Sequence, residues 1–184
     1  YQNAGIASIR ADFRAGHRRL IAEFPTGTGK TRMFCTLPKD GARVLVIVPF
    51  LSLISQTVSS IRHLRSVEAD IEQAHNQAEP ESDFVVASWA TLHSNNRYKK
   101  FLNKVDLIVV DECHHGFTVE SRDMLNEFVD KGAYVLGVTA TAYRSDKTSL
   151  LGFYDKVSYT YGLRQAIDDG YLAGPRCQVH YVKS

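Results

Sequence analysis

The stretch Phe24-Pro25-Thr26-Gly27-Thr28-Gly29-Lys30-Thr31 concentrates the residue types that hold phosphates. Glycines let a backbone turn tightly and come close to an anion. Successive N–H groups then form a nest at the positive end of the following helix. From this spacing Lys30 reaches β- and γ-phosphates, and the Thr31 hydroxyl is placed to meet a magnesium ion. The general pattern has a glycine where this chain has Phe24, at the strand end, before the loop begins. Pro25, Thr26, Gly27, Thr28 and Gly29 complete the expected nucleotide loop.

A second group, Asp111-Glu112-Cys113-His114-His115, follows the apolar run Val105-Asp106-Leu107-Ile108-Val109-Val110. A carboxylate at the end of a buried strand suits magnesium, which keeps several waters and takes few protein ligands. Asp111 is the candidate for that role, with Thr31. Glu112 is the candidate for orienting and deprotonating an attacking water. Cys113, His114 and His115 do not have the spacing of a zinc site. His114 is better used as a hydrogen-bond link to Thr139 or Thr141 in Thr139-Ala140-Thr141, which also follows an apolar strand. Cys113 reads as a small buried residue and His115 as a solvated neighbour.

These groups need elements to bring them together. Gly5 to Ala15 carries Ile6, Ile9 and Phe13 at helical spacing. Arg19 to Phe24 reads as a strand and Thr31 to Leu37 as a short helix. Arg43 to Val48 is a continuous β-branched run, the mark of a strand covered on both faces. Phe50 to Arg65 reads as a crossover helix, with Leu51, Ile54, Val58 and Ile61 as its stripe. Strands are expected at Val67–Ile71, Phe84–Ala87, Val105–Val110, Tyr134–Val138 and Lys156–Tyr161. Helices are expected at Glu120–Val129 and Leu163–Asp169, with a turn and helix start over Ser88–Ser94. Gly174 to Ser184 reads as a strand or exit segment. Alternating strands and helices predict an α/β domain, with a mostly parallel central sheet and helices on both faces. Ligands of such sheets lie beyond the carboxyl ends of the strands. All three chemical groups fall there.

Composition sets outer bounds. The 184 residues suffice for one well-cored domain, and 44% hydrophobic with 23% charged content is ordinary for a globular protein. No apolar run approaches the ~18 residues of a membrane helix. Three widely spaced cysteines, Cys35, Cys113 and Cys177, argue for a reducing compartment over a disulfide scaffold. A net charge of +2 does not by itself indicate nucleic acid.

Taken together, these motifs resemble the first motor domain of superfamily 2 helicases and translocases, most of all the DEAH-like group of XPB-type and UvrB-type enzymes and type I and III restriction subunits. Pro25 to Thr31 matches motif I. Asp111-Glu112-Cys113-His114 matches motif II, with Cys where DEAD and DEAH forms carry Ala. Thr139-Ala140-Thr141 stands where Ser-Ala-Thr is common. Ala142-Tyr143-Arg144-Ser145-Asp146 is similar to the extension of this subgroup, with Ala142 for Pro. Tyr1-Gln2 is similar to the end of an Arg-Pro-Tyr-Gln segment, whose Gln reads adenine. Val48 to Gln56 is similar to motif Ia, and Ala90 to Ser94 to motif Ib.

The resemblance implies a RecA-like P-loop domain over residues 1–170 that hydrolyses ATP with Mg2+, and an exit segment over 171–184 toward a second RecA-like domain with motifs IV to VI. It implies backbone contact with one nucleic acid strand, through Ser52, Ser88, Thr91, Ser94 and Arg97. The Arg144–Asp146 extension points to DNA, with RNA helicase and restriction motor as alternatives. A scaffold built on a degenerate motor is disfavoured by intact Lys30, Thr31, Asp111 and Glu112. The fragment alone is expected to hydrolyse ATP slowly, in a protein with an intracellular place: cytoplasm in a prokaryote, nucleus or mitochondrion otherwise.

Overall fold

The computed structural model describes residues 1–140, 150 and 152–174. Seven strands form one sheet: β1 Arg19–Glu23, β2 Val44–Val48, β3 Asp70–Glu72, β4 Phe84–Ser88, β5 Leu107–Asp111, β6 Tyr134–Thr139 and β7 Lys156–Thr160. Their order is β3-β4-β2-β5-β6-β1-β7, and every pairing is parallel. Between them run α1 Gln2–Arg14, α2 Lys30–Thr36, α3 Ser52–Arg65, α4 Trp89–His93, α5 Val119–Asp130 and α6 Leu163–Asp168. A 3-10 helix, Ser94–Phe101, follows α4.

Strand alternation divides the core into two layers. Leu20, Ala22, Val44, Val46, Val48, Val109, Leu136 and Val138 face α1, α2, α3 and α6. Ile21, Leu45, Ile47, Ile108, Val110 and Val135 face α4, the 3-10 helix and α5, where Trp89, Leu92, Phe101, Leu125 and Phe128 pack. β2 is buried along its whole length, as its unbroken Val-Leu-Val-Ile-Val run requires. Each such side chain contributes about 1.5–3 kcal/mol when withdrawn from water.

The topology decides what meets what. From β1 the chain passes the places of β6 and β5 to reach β2, goes on to β3 at the outer edge, comes back to lay β4 between β3 and β2, and then lays β5 and β6 between β2 and β1. The end of β1 therefore lies beside the end of β6, with Glu23 in register with Thr139. Asp111 at the end of β5 is in register with Val138. The phosphate loop, the acidic pair and Thr139 thus share the carboxyl edge where strand order reverses, the expected place for a ligand.

Several boundaries differ from the sequence reading. α1 begins at Gln2, not Gly5, because its polar first turn is held against the phosphate loop by Tyr1 and Gln2. β3 lies at Asp70–Glu72, later than the expected Val67–Ile71, since Glu72 is drawn inward by cations. The basic stretch after α4 is helical, with Asn95 and Asn96 in the left-handed region. Thr141 and the extension Ala142–Asp146 lie outside the described residues, as does the expected strand beyond Gly174 and Cys177.

Candidate nucleotide site

The loop after β1 is braced from within. Both the backbone N–H and the hydroxyl of Thr28 donate to the Pro25 carbonyl, at 3.3 and 2.7 Å. Gly29 then takes a left-handed conformation, φ 75°, and α2 starts at Lys30. A side chain at Gly29 would meet both a backbone penalty and Gln2, whose Nε2 would lie 2.6 Å from the added Cβ. Gln2 Nε2 donates to the carbonyls of Thr28 and Gly29 at 3.2 and 3.3 Å, and the Tyr1 hydroxyl donates to that of Thr28 at 2.6 Å. The amino end of the chain thus sets the shape of the loop. Beside it opens a cavity of about 320 Å³ lined by Tyr1, Gln2, Asn3, Ile6, Arg32, Met33, Thr36 and Tyr171.

Across the edge, β5 delivers Asp111 and the chain turns sharply. Glu112 has φ 45°, unusual for a side chain of its length. Its N–H donates to Asp111 Oδ1 at 3.0 Å, and its carbonyl accepts from the N–H of His115 at 2.7 Å. Strained positions of this kind concentrate at working sites. The turn points the Glu112 carboxylate at the phosphate loop, where Lys30 Nζ donates to Oε1. The other oxygen, Oε2, is buried without a hydrogen-bond partner. Burial pushes the Asp111 carboxyl above its ordinary range, with the Lys30 ammonium pulling it back and the Glu112 carboxylate adding to the rise. A carboxylate in that position is short of positive charge, and the orphaned Glu112 oxygen beside it is short of a donor. Both observations fit a hydrated cation held by Asp111 and the half-buried Thr31.

His114 Nδ1 lies 2.7 Å from the Thr139 hydroxyl and 3.7 Å from Glu112 Oε2. Thr139 is fully buried. His115 is exposed and packs on Phe50, ring centres 5.8 Å apart. Cys113 is fully buried and its N–H donates to the Val138 carbonyl. Burial raises its thiol to about 12, which leaves it protonated and inert. Among the described residues no cluster of three His, Cys, Asp or Glu side chains could hold a metal ion. No described helix is long and apolar enough to cross a membrane.

The five side chains expected at a nucleic acid separate into two groups. Ser88 and Thr91 are corrected by their burial: Ser88 caps α4, accepting from the Thr91 N–H, and the two hydroxyls lie 3.0 Å apart. Arg97 is likewise turned inward, pairing with the fully buried Glu72 and donating to the carbonyls of Ala74 and Asn76. Ser52 and Ser94 remain exposed. Sequence reading did not find Arg32 or Tyr171 in the cavity wall. Tyr171 lies 169 residues from Gln2, the difference of the two positions, and only its aromatic character after Gly170 marked it.

Residues 1–144 match the family described as the type III restriction enzyme res subunit. The Saccharomyces cerevisiae protein named as an ATP-dependent helicase, IRC3, is 30% identical over 94% of this chain and 27% of its own length. The chain thus spans under a third of that relative. The Hef helicase domain of Pyrococcus furiosus superposes with a TM-score of 0.65 at 20% identity, covering 84% of this chain and 37% of that one. The Sulfolobus solfataricus SWI2/SNF2 ATPase core, solved with double-stranded DNA, gives 0.64 at 18% identity over 84% and 34%. The fold is that of RecA-like helicase domains.

Proposed function

This chain belongs to the type III restriction enzyme res subunit family, and from that membership and the site geometry we propose that it is the first RecA-like motor domain of an ATP-dependent DNA helicase or translocase. The observation that carries the proposal is the meeting of Lys30 and Glu112 across the sheet edge. Two motifs separated by more than 80 residues converge at one point, with one group suited to phosphate and the other to water.

In this reading Gly27, Thr28, Gly29 and Lys30 cradle the phosphates through backbone N–H groups, and Pro25 and Thr26 shape the entry. Thr31 and Asp111 hold Mg2+, which when bound neutralises phosphate charge. Gln2 borders the base cavity; its amide nitrogen is committed to the loop, which leaves its oxygen to accept from an amino group such as that of adenine. Nucleotide phosphates compete with Glu112 for Lys30. When they win, the carboxylate of Glu112 is released to take a proton from the attacking water as its oxygen bonds the γ-phosphorus and the bond to the β-phosphate oxygen breaks. Loading the site thus frees its own base.

His114 and Thr139 connect this event to the rest of the sheet edge, with Thr141 next along the chain. Ser52 and Ser94, exposed at the starts of α3 and of the 3-10 helix, contact a nucleic acid backbone, a mode that positions a strand without reading bases. DNA is favoured by membership in a restriction-enzyme family; solved neighbours of like similarity hold double-stranded DNA in one case and RNA in another. Residues 1–170 form the motor unit, 171–184 lead toward a second RecA-like domain, and an arginine from that domain raises hydrolysis by several orders of magnitude. The buried free thiols of Cys35 and Cys113 support an intracellular place.

The test is hydrolysis by the full-length protein with and without DNA. Stimulated turnover, lost in Glu112→Gln with magnesium-dependent ATP binding retained, supports the reading. Absence of magnesium-dependent ATP binding in the wild-type protein overturns it.

A further inference from the structure

The cavity beside the phosphate loop has one wall that comes from far along the chain. α6 ends at Asp168, and Gly170 just beyond it, with a left-handed backbone of φ 77°, turns the chain back. The N–H groups of Tyr171 and Leu172 then both donate to the Ala166 carbonyl, at 2.9 and 3.0 Å. This fixes two side chains over the site. Leu172 sits on Gly27, its Cδ2 only 3.2 Å from where a Cβ on that glycine would stand. Tyr171 meets Tyr1 edge to face, ring centres 4.6 Å apart at 74°.

Tyr1 is itself immobilised. It lies flat on the fully buried Tyr161, 4.2 Å away at 3°, and its hydroxyl is bound to Thr28. Tyr161 in turn donates to Asp169 at 2.8 Å. Tyr1 has one face on Tyr161, and its hydroxyl is already used. Tyr171 is different: it lines the cavity, yet it is 57% exposed. An aromatic ring rigidly mounted on its backbone, half open to water and facing a cavity about the size of a small-molecule site, is an unfilled contact surface.

We propose that Tyr171 forms one wall of the base pocket, packing against the purine base of a bound nucleotide, and that Leu172 on Gly27 ties the same two-residue strap to the phosphate loop. The strap meets both the phosphate loop, at Gly27, and the cavity beside it. This rests on the nucleotide-site reading above.

The test uses calorimetry on the full-length protein with two magnesium-loaded probes, ADP and inorganic tripolyphosphate. Tyr171→Ala should weaken ADP about three- to tenfold, the value of one aromatic contact, and leave tripolyphosphate unchanged. Tyr171→Phe should restore ADP affinity. Amide hydrogen exchange should show protection at residues 171–172 with ADP and less with tripolyphosphate. Unchanged ADP affinity in Tyr171→Ala, or equal loss for both probes, overturns the proposal. Lys30→Ala separates the two readings: it should abolish tripolyphosphate binding. If wild-type protein binds neither probe, the nucleotide site and the strap fall together.

Discussion

Lys30 at the start of α2 donates to the carboxylate of Glu112 just past the end of β5, and so the cation and the base proposed for phosphate and water are each other's partners. Both are largely shielded, with 10% and 22% of their side-chain surface exposed. Glu112→Gln removes the competitor for Lys30. Nucleotide affinity should therefore hold or rise, while turnover falls about 10²–10⁴-fold, the usual worth of a positioned base. Calorimetry paired with steady-state hydrolysis checks this; a parallel loss of affinity would mean that Glu112 serves binding instead.

Gly29 faces two separate constraints, a left-handed backbone and the amide of Gln2. Gly29→Ala should destabilise the chain by about 1–2 kcal/mol through the backbone alone and disturb the loop further through the contact. Adding Gln2→Ala should relieve only the contact. Urea unfolding of the single and double variants should then show partial recovery; full recovery would remove backbone conformation from the account.

Asp155 joins β7 to β1. Its carboxylate accepts from the N–H groups of Arg18 and Arg19, at 2.9 and 3.0 Å, and from the Arg19 guanidinium. Burial raises its pKa, but the two backbone donors and the guanidinium outweigh that and hold it below the usual value. The native state therefore binds fewer protons here than the unfolded chain. The stabilisation is complete above the unfolded value near 4 and fades as pH falls through the lower native one. Asp155→Asn should cost about 1.5–3 kcal/mol at neutral pH, with the gap to wild type narrowing in acid. A gap independent of pH would contradict this.

Glu72 is fully buried between Arg97 and Lys100, at 2.5 and 2.7 Å, and also accepts from the Ala78 N–H. Glu72→Ala leaves two cations without their anion and should destabilise by about 3–5 kcal/mol. Arg97→Ala should lower stability while leaving the salt dependence of DNA binding by the full protein unchanged, because Arg97 is spent internally. A shallower salt slope in that variant would return Arg97 to the nucleic acid surface.

Local chemistry explains why much of this molecule could be read without coordinates. The Gly-Thr-Gly-Lys-Thr loop and the acid pair after Val109-Val110 declare themselves because a phosphate nest and a strand-end carboxylate each need a fixed residue order within one short segment. The buried strands show the same locality: Val44 to Val48 is apolar throughout because both faces are covered. The link between His114 and Thr139 is legible as well, since His114 follows β5 and Thr139 ends β6 in one parallel sheet.

What the tertiary structure alone decided involves partners far apart in the chain. Ser88, Thr91 and Arg97 look like phosphate ligands by residue type, yet capping and the buried Glu72 claim them, and no local pattern distinguishes a hydroxyl turned inward from one turned out. Tyr171 and Leu172 reach Tyr1 and Gly27 only because β7 lies beside β1 and Gly170 turns the chain back. The residue types and local order around Lys30, Asp111 and Glu112 carry the proposed phosphate-binding chemistry. The strand order β5-β6-β1 is what brings Lys30 to Glu112, because a parallel sheet places strand ends side by side regardless of their distance along the chain.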